Sequence, residues 1–262
     1  MGALTKQSDS LDQLLRNCIS RSQSRLEFWA DFLRATGVRR MAEIGVYRGD
    51  FAAGILQRCG QLTAYYMIDP WRHLSDWNKP ANHDDRKLEE FFRETMAKTE
   101  FASAKRVILR GKTTEVVDEI PDGSLDFAYI DGDHTLKGIT IDLVRIYPKV
   151  RIGGFIGGDD FSQTIWMHKT SFEPTLVFPF TVYFAEAVGA TIYSLPDIQF
   201  CIHKTDKAQF DFVDLVGQYN DVSLRSQLLP KKLLKLAFGE RYPRLARFIR
   251  KSRGLISQAG RD

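Results

Sequence analysis

The sequence predicts an α/β fold built on a mostly parallel β-sheet. Between residues 39 and 159, short apolar runs alternate with segments whose apolar residues recur at helical spacing. Strands that alternate with helices in this way form parallel sheets with helices on both faces. Runs such as YYMI at 65–68 and FAYI at 127–130 are almost entirely apolar. Such runs are typical of strands buried on both faces, which supports the parallel arrangement.

Residues 1–38 predict an N-terminal helical segment ahead of this alternation. Apolar residues recur three or four positions apart around 11–19 and again around 26–33. Ser8 and Asp9 are suitable N-caps, and Gly37 is a suitable helix end.

The elements of the domain follow in chain order. Strands are expected at 39–45, 62–69, 106–111, 125–131 and 153–159, with two more at 191–195 and 199–204. Helices are expected at 51–59, 84–98, 113–119, 135–147 and 181–189. These elements place one domain at 39–205, followed by a C-terminal extension at 206–262.

The composition is that of a soluble globular protein. Of the 262 residues, 44% are hydrophobic and 27% are charged. No apolar run approaches the roughly 20 residues that cross a bilayer, and the N-terminus lacks the apolar core of a signal peptide. Cys18, Cys59 and Cys201 are scattered without a C-x-x-C pair, which argues against a zinc–cysteine site or disulfides. We therefore expect a cytoplasmic protein.

The net charge of +4 conceals a basic C-terminal tail. From position 224 onward, eleven Lys and Arg residues stand against Glu240 and Asp262, whereas the rest of the chain is mildly acidic. Leucines between these cations make the tail amphipathic, which suits an anionic membrane surface or an acidic partner. A solvated helix packed on the domain is the alternative. No nucleic-acid partner is expected, because the acidic body lacks a basic face.

Carboxylates follow four of the five strands in the body of the domain. Glu43 lies in the first strand, Asp69 ends the second, Asp131 and Asp133 end the fourth, and Asp159 and Asp160 end the fifth. Ligands of open parallel sheets bind at the carboxyl ends of the strands. Because buried carboxylates without partners cost free energy, these strand ends should share a metal ion or a cationic ligand.

The glycines indicate which ligand the first strand suits. Gly45 and Gly49 allow a tight turn in the pattern E-x-G-x-x-x-G, which is not the G-x-G-x-x-G of dinucleotide sites. This spacing disfavours an NAD-dependent oxidoreductase. Asp69 stands where an acid binds ribose hydroxyls in related sheets. The site therefore suits an adenosine-bearing ligand without a demand for phosphate.

Four motifs together resemble the class I S-adenosylmethionine-dependent methyltransferases. They are AEIGVYRGDFAAGIL, MIDPW, LDFAYIDGDHTLKGITIDL and GGFIGGDDF. Within that class the sequence is most similar to the metal-dependent sugar O-methyltransferases of the macrocin type, over roughly 39–205. The resemblance implies a Rossmann-like fold with seven strands in the order 3-2-1-4-5-7-6, the seventh antiparallel.

The resemblance also assigns roles to residues. It implies a binding site for S-adenosylmethionine formed by Glu43, Gly45, Tyr47, Gly49, Asp69 and Thr113, with Asp69 on the ribose and Thr113 near the adenine. It matches Asp131, Asp159 and Asp160 to a triad that holds Mg²⁺ or another divalent cation. Carboxylate oxygens suit Mg²⁺, and such an ion lowers the pKa of a bound hydroxyl.

His134 is the candidate general base, with Asp131 as its catalytic neighbour. A neutral imidazole accepts a proton at pH 7. The alternative is that residues 133–135 only cap the following helix, and the two roles are compatible. The polar loop 71–85 could cover a bound acceptor. Trp71 and Trp77 in that loop could stack on a ligand, although packing is the simpler interpretation.

The predicted activity is Mg²⁺-dependent O-methylation of a hydroxyl on a sugar or a sugar-bearing small molecule. The alternative is a protein of the same fold that binds S-adenosylmethionine without catalysis. Three aligned carboxylates favour the enzyme, since a binding protein has no need to keep them.

Overall fold

The computed structural model describes residues 2–220 and 222–247, with backbone only over positions 2–10. Its strands are β1 (Arg40–Ile44), β2 (Ala64–Asp69), β3 (Arg106–Arg110), β4 (Leu125–Ile130), β5 (Val150–Gly158), β6 (Thr191–Leu195), β7 (Gln199–His203) and β8 (Asp211–Asp214). Its helices are α1 (Gly2–Arg21), α2 (Arg25–Ala35), α3 (Asp50–Arg58), α4 (Asp85–Lys98), α5 (Thr113–Val116), α6 (Leu136–Ile146), α7 (Val177–Ala187), α8 (Leu224–Gln227) and α9 (Pro230–Arg241).

The strands form one sheet in the order β3-β2-β1-β4-β5-β7-β6-β8. Strands β1 to β5 are parallel to one another, and β7 runs antiparallel to both β5 and β6. This order confirms the predicted Rossmann-like arrangement for the first seven strands. An eighth strand, β8, adds to the edge in parallel with β6. The sequence did not predict it, because it is only four residues long and has an aspartate at each end. The domain boundaries at 38 and 205 remain predictions.

Helices cover both faces of the sheet, so two apolar layers are buried. On one face the aromatic residues of α2 pack on β4, with the rings of Trp29 and Phe127 centred 5.1 Å apart. Gly157 of β5 lies beneath them, and a Cβ there would come within 2.3 Å of the Trp29 ring. On the other face α6 and α7 bury Ile139, Leu143 and Phe184. The N-terminal helices therefore belong to the core of the domain.

The strand register brings the polar ends of four strands to one level. Ile44 of β1 pairs with Ile68 of β2 and with Ile130 of β4, and Ile130 pairs with Gly158 of β5. The residues that follow these four are Gly45, Asp69, Asp131 and Asp159. Parallel strands end at the same edge of a sheet, so these residues line one site.

No helix in the described part of the chain is long and apolar enough to span a membrane.

Candidate active site

A cleft of about 660 Å³ opens at this edge of the sheet. Loops that follow β1, β2, β3, β4 and β5 all contribute to its lining. Its volume lies within the range of small-molecule and cofactor pockets. Most of the predicted site residues line this cleft, namely Glu43, Gly45, Tyr47, Asp69, Thr113, Asp131, His134 and Asp160. Gly49 and Asp159 are not among its lining residues.

Gly45 lies where the end of β1 packs closely against the end of β4. Its φ angle is 88°, and a Cβ would lie 2.1 Å from the carbonyl oxygen of Asp131. Glycine is thus required here both for the predicted tight turn and for close approach to the Asp131 backbone. Gly49, at φ 72°, begins α3, and a Cβ there would come within 2.8 Å of the Thr95 side chain.

Strained backbone is concentrated at the cleft. Five non-glycine residues of the described chain have positive φ, and three of them, Tyr47, Trp71 and Asp160, line the cleft. Such conformations cost free energy and cluster at functional sites. Surrounding hydrogen bonds hold Tyr47 in place, since its carbonyl accepts from the Trp71 indole at 2.8 Å and from Thr95 at 3.2 Å.

Glu43 places a buried carboxyl beneath the cleft. Its side chain is 2% exposed and accepts one hydrogen bond from the hydroxyl of Tyr65 at 2.7 Å. Burial raises the pKa of Glu43 to about 8, although the Tyr65 hydrogen bond opposes the shift. A buried carboxyl with a raised pKa is suited to pair with a cationic group of a ligand.

Asp69 is held by the backbone on both sides. One oxygen accepts the amide of Tyr47 at 2.8 Å, and the other accepts the amide of Trp71 at 2.8 Å. Burial raises the pKa of Asp69 to about 6, against the opposing effect of these hydrogen bonds. Each oxygen retains a second lone pair, so the carboxylate can still accept hydrogen bonds from two hydroxyls.

Thr113 lies in the cleft and is paired with a residue that the sequence analysis missed. Its hydroxyl donates to Asp142 at 2.5 Å, and Asp142 is 5% exposed. Burial raises the pKa of Asp142 to about 7. Asp142 sits in the run GITIDL of α6. The sequence signal for a functional role of Asp142 was a single acid on the apolar face of a predicted helix.

Arg25 contacts two of the carboxylates at the strand ends. Its Nη1 lies 3.4 Å from an oxygen of Asp131 and also forms an ion pair with Asp159. Arg25 is the first residue of α2, far from the strand motifs in sequence. The sequence analysis therefore gave it no role.

His134 lies between the other pair of carboxylates. Its Nδ1 forms an ion pair with Asp160, and its Nε2 is 3.4 Å from Asp131. Burial lowers the pKa of His134, but these two carboxylates outweigh it and raise the pKa to about 10. Buried Nε2 makes no hydrogen bond within the described residues. Of the two ring nitrogens, Nε2 thus has the longer carboxylate contact.

Capping of α6 is performed by the neighbours of His134. The side chain of Thr135 accepts the amide of Gly138 at 3.1 Å, and Asp133 accepts the amide of Thr135 at 2.9 Å. The His134 side chain takes no part in this cap and lines the cleft instead. The predicted base and the predicted cap are thus separate residues.

Comparison with known proteins agrees with this arrangement. Residues 42–161 match a family model described as a methyltransferase domain. The matched segment runs from β1 to the residues just after β5 and so includes the strand ends at the cleft. The sheet order of the chain and its carboxylates at the strand ends are those that the sequence resemblance implied.

Solved structures with the same fold are distant in sequence from this chain. One, from Staphylococcus aureus, is described as a candidate caffeoyl-CoA O-methyltransferase, with a TM-score of 0.52, 14% identity, and coverage of 76% of this chain and 94% of that one. Another is an O-methyltransferase from Bacillus cereus in complex with SAH, with a TM-score of 0.50, 15% identity, and coverage of 75% and 91%. No curated protein matches the sequence.

The carboxylates at the strand ends do not fit a divalent ion in their present arrangement. Asp131, Asp159 and Asp160 each contact the cationic side chain of Arg25 or His134. Within residues 11–220 and 222–247, no three His, Cys, Asp or Glu side chains are grouped so as to hold a metal ion. The predicted triad thus faces protein cations.

Two loops that are tied to each other contribute to the lining of the cleft. Lys79 is buried and donates to the carbonyl of Glu173 at 2.8 Å, which ties the loop 71–85 to the segment after β5. Trp77 lines the cleft and donates to Asp133 at 2.9 Å. Trp71 is 1% exposed and packs on Phe92, so it is a packing residue. Of the loop histidines, His73 is exposed, and the ring of His83 contacts the Tyr47 hydroxyl at 3.2 Å.

Proposed function

We propose that this protein transfers the methyl group of S-adenosylmethionine to a hydroxyl of a small-molecule acceptor. One observation carries the proposal: a single cleft joins two buried carboxyls, Glu43 and Asp69, to a cluster of carboxylates around His134. The first pair suits the cofactor, and the second group suits proton removal from an acceptor. The two solved structures described above are named as O-methyltransferases, which supports the choice of oxygen as the acceptor atom.

The cofactor end of the cleft matches the two polar parts of S-adenosylmethionine. Glu43, with its raised pKa, would face the ammonium group of the methionine part, whose positive charge favours the ionised carboxylate. Asp69, fixed by two backbone amides, would accept the ribose hydroxyls. Gly45, Tyr47 and Gly49 shape the loop between these two carboxyls, and Thr113 borders the far side with Asp142. When bound, the cofactor would supply an electrophilic methyl group.

The cluster at the other end can accept one proton. Three carboxylates stand against the two cations Arg25 and His134, which leaves one net negative charge. Because the pKa of His134 is raised, its ring is protonated at neutral pH before an acceptor binds. We propose that Nε2 passes its proton to Asp131, 3.4 Å away, and then takes the proton of the acceptor hydroxyl. Asp160 fixes the ring through Nδ1, as an orienting carboxylate does in other catalytic pairs.

A sugar or sugar-bearing molecule is the acceptor class that we favour. The covering loop combines an indole, Trp77, with the polar side chains of Asp76 and Lys79 at the cleft. Aromatic rings flanked by polar groups suit ligands with both apolar and hydroxylated faces. The resemblance also implies magnesium dependence, but the three carboxylates already contact protein cations.

Transfer of a labelled methyl group tests the function directly. We expect purified protein with labelled S-adenosylmethionine to label hydroxyl-bearing glycosides, and the label to be lost when the reactive hydroxyl is replaced by hydrogen. A panel of glycosides and catechols would separate the sugar proposal from the broader one. Tight binding of S-adenosylhomocysteine without transfer to any member of the panel would favour the alternative of a non-catalytic binding protein.

We also propose that the basic tail contacts an anionic membrane surface. None of the residues of α9 is buried, and Leu234 and Phe238, one turn apart, are 70% and 39% exposed. Lys231, Lys232 and Lys235 lie on the same helix. An exposed apolar face beside lysines is typical of helices that lie at a membrane interface. The part of the tail from 248 onward lies outside the described residues.

Vesicle sedimentation tests this contact. We expect the full chain to sediment with phosphatidylserine vesicles at low salt and to be released by high salt, since the attraction is screened. Changing Lys231, Lys232 and Lys235 together to glutamine should weaken binding by roughly fivefold for each cation lost. Neutral phosphatidylcholine vesicles are the matched control. Equal sedimentation of the triple variant and the unmodified protein would show that the tail is ordinary protein surface.

A further inference from the structure

We propose that Arg25 is the resident cation of the strand-end carboxylates, and that a divalent cation binds there only by displacing its guanidinium. These are carboxylates that the sequence resemblance assigned to a metal. Arg25, from the N-terminal helices, thereby becomes part of the site. The proposed competition does not depend on methyl transfer, because the competing ion can be measured alone.

Arg25 is placed at the carboxylates by a rigid helix. Ser24 caps α2, its side chain accepting the amide of Glu27 at 3.3 Å. Trp29, four residues after Arg25, is fully buried, and its indole donates a hydrogen bond to Gln199 at 2.9 Å. The start of α2 is therefore fixed against the sheet. The guanidinium of Arg25 also lies over the ring of Phe51, 5.8 Å from its centre.

A cation at the first residue of a helix is unfavourable by itself. The amino end of a helix carries partial positive charge, which repels Arg25. The contacts with Asp131 and Asp159 compensate for this repulsion. Burial lowers the pKa of Arg25, but Tyr129 and Asp131 raise it, and the net shift is upward. Arg25 thus remains charged at every pH at which the protein would be assayed.

The oxygen atoms that a metal would need are already engaged. One oxygen of Asp159 accepts the Asp160 amide at 2.8 Å and also the side-chain amide of Gln199. Its other oxygen pairs with Arg25, which also reaches Asp131. An ion bound between Asp131 and Asp159 would lie within a few ångströms of the guanidinium, and like charges at that distance repel strongly. The two cations therefore compete for one place.

Because the side chain of Arg25 is 39% exposed, it can swing toward solvent without breaking the core around Trp29. Arginine binds carboxylates through a planar set of donors, while a metal ion needs converging oxygens. Exchange of one for the other would change how the carboxylates are oriented toward an acceptor. The N-terminal helices would then control which cation the site holds.

Titration with Mn²⁺, followed by the electron paramagnetic resonance signal of the free ion, tests the competition. We expect Arg25→Ala to bind Mn²⁺ at least about tenfold more tightly than the unmodified protein, since a neighbouring positive charge has been removed. Arg25→Lys, which keeps the charge, should gain much less. Arg34→Ala is the matched control, because Arg34 lies in the same helix and pairs with Asp31 instead.

Two results would overturn the proposal. In one, Arg25→Ala and the unmodified protein bind Mn²⁺ equally, or neither binds it. In the other, the gain survives when Asp159→Asn is added to Arg25→Ala, which would place the ion elsewhere. If Arg25→Ala does not fold by circular dichroism, the neutral Arg25→Gln supplies the same comparison. None of these titrations requires an acceptor, so a failure here is distinct from failure of the proposed methyl transfer.

Discussion

Replacing Asp69 by alanine should weaken binding of S-adenosylhomocysteine by about 1–3 kcal/mol, or roughly five- to 150-fold. The loss is that of charged hydrogen bonds to the ribose hydroxyls. Asp69 also anchors the amides of Tyr47 and Trp71, so part of the effect passes through the loop that follows β1. Calorimetric titration gives the dissociation constant, and thermal unfolding shows whether the variant retains its fold.

The pH dependence separates these two contributions. Since the pKa of Asp69 is raised to about 6, the carboxylate is ionised at pH 7.5 and becomes protonated as the pH falls below 6. We expect the affinity of the unmodified protein to decline over that range and the affinity of Asp69→Asn to change less. Asp76→Ala, at the exposed rim of the same cleft with a side chain 62% accessible, is the control. An intact Asp69→Ala that binds S-adenosylhomocysteine as tightly as the unmodified protein would refute the ribose role.

The fold was largely predictable because its signals are local. Apolar runs such as YYMI and FAYI identify buried strands, and glycines mark the turns after β1, β3 and β4. The predictions were wrong where the sequence signal for a helix or strand was weakest. The helix α7 begins at Val177, four residues before the predicted start, because FPF at 178–180 reads as a loop. The strand β8 is short and partly exposed, so its sequence differs little from that of a loop.

The placement of Glu43, Asp69 and Thr113 along one edge of the sheet was predictable for a related reason. Glu43 lies in β1, Asp69 ends β2 and Thr113 follows β3, so the strand order sets their positions along that edge. Their role in cofactor binding remains a proposal. Arg25 and Gln199 were not predictable in this way. Arg25 lies 106 residues from Asp131 along the chain, and Gln199 lies 40 residues from Asp159. Only the packed structure shows that these two side chains meet the carboxylates.

These residues change how the clustered carboxylates at the strand ends are interpreted. When a sequence shows three clustered acids and no cation beside them, a metal ion is the expected partner, because like charges repel. The structure supplies two protein cations, one from α2 and one from the start of α6. The free energy cost of clustering Asp131, Asp159 and Asp160 is thereby offset within the chain itself. The remaining chemical question is how such a paired cluster takes a proton from an acceptor.

His134→Gln answers that question and should reduce turnover by roughly 10²- to 10⁴-fold, the range for loss of a positioned acid–base group. Glutamine keeps approximate size and polarity but cannot take up or release a proton. The change removes Nε2 together with the contacts that hold Asp131 and Asp160. Affinity for S-adenosylhomocysteine should stay within about twofold, since Glu43 and Asp69 are untouched. Steady-state rates of methyl transfer and calorimetric titration measure the two effects separately.

Thr135→Ala is the matched control for His134→Gln, because Thr135 caps α6 while His134 lines the cleft. Loss of the cap should cost about 0.5–2 kcal/mol of stability and leave turnover near that of the unmodified protein. His134→Gln should show the opposite pattern, with little loss of stability and a large loss of turnover. If the two variants instead lose stability alike and both retain turnover, this segment serves only as a helix cap. The acceptor's proton would then have to leave without the His134 ring.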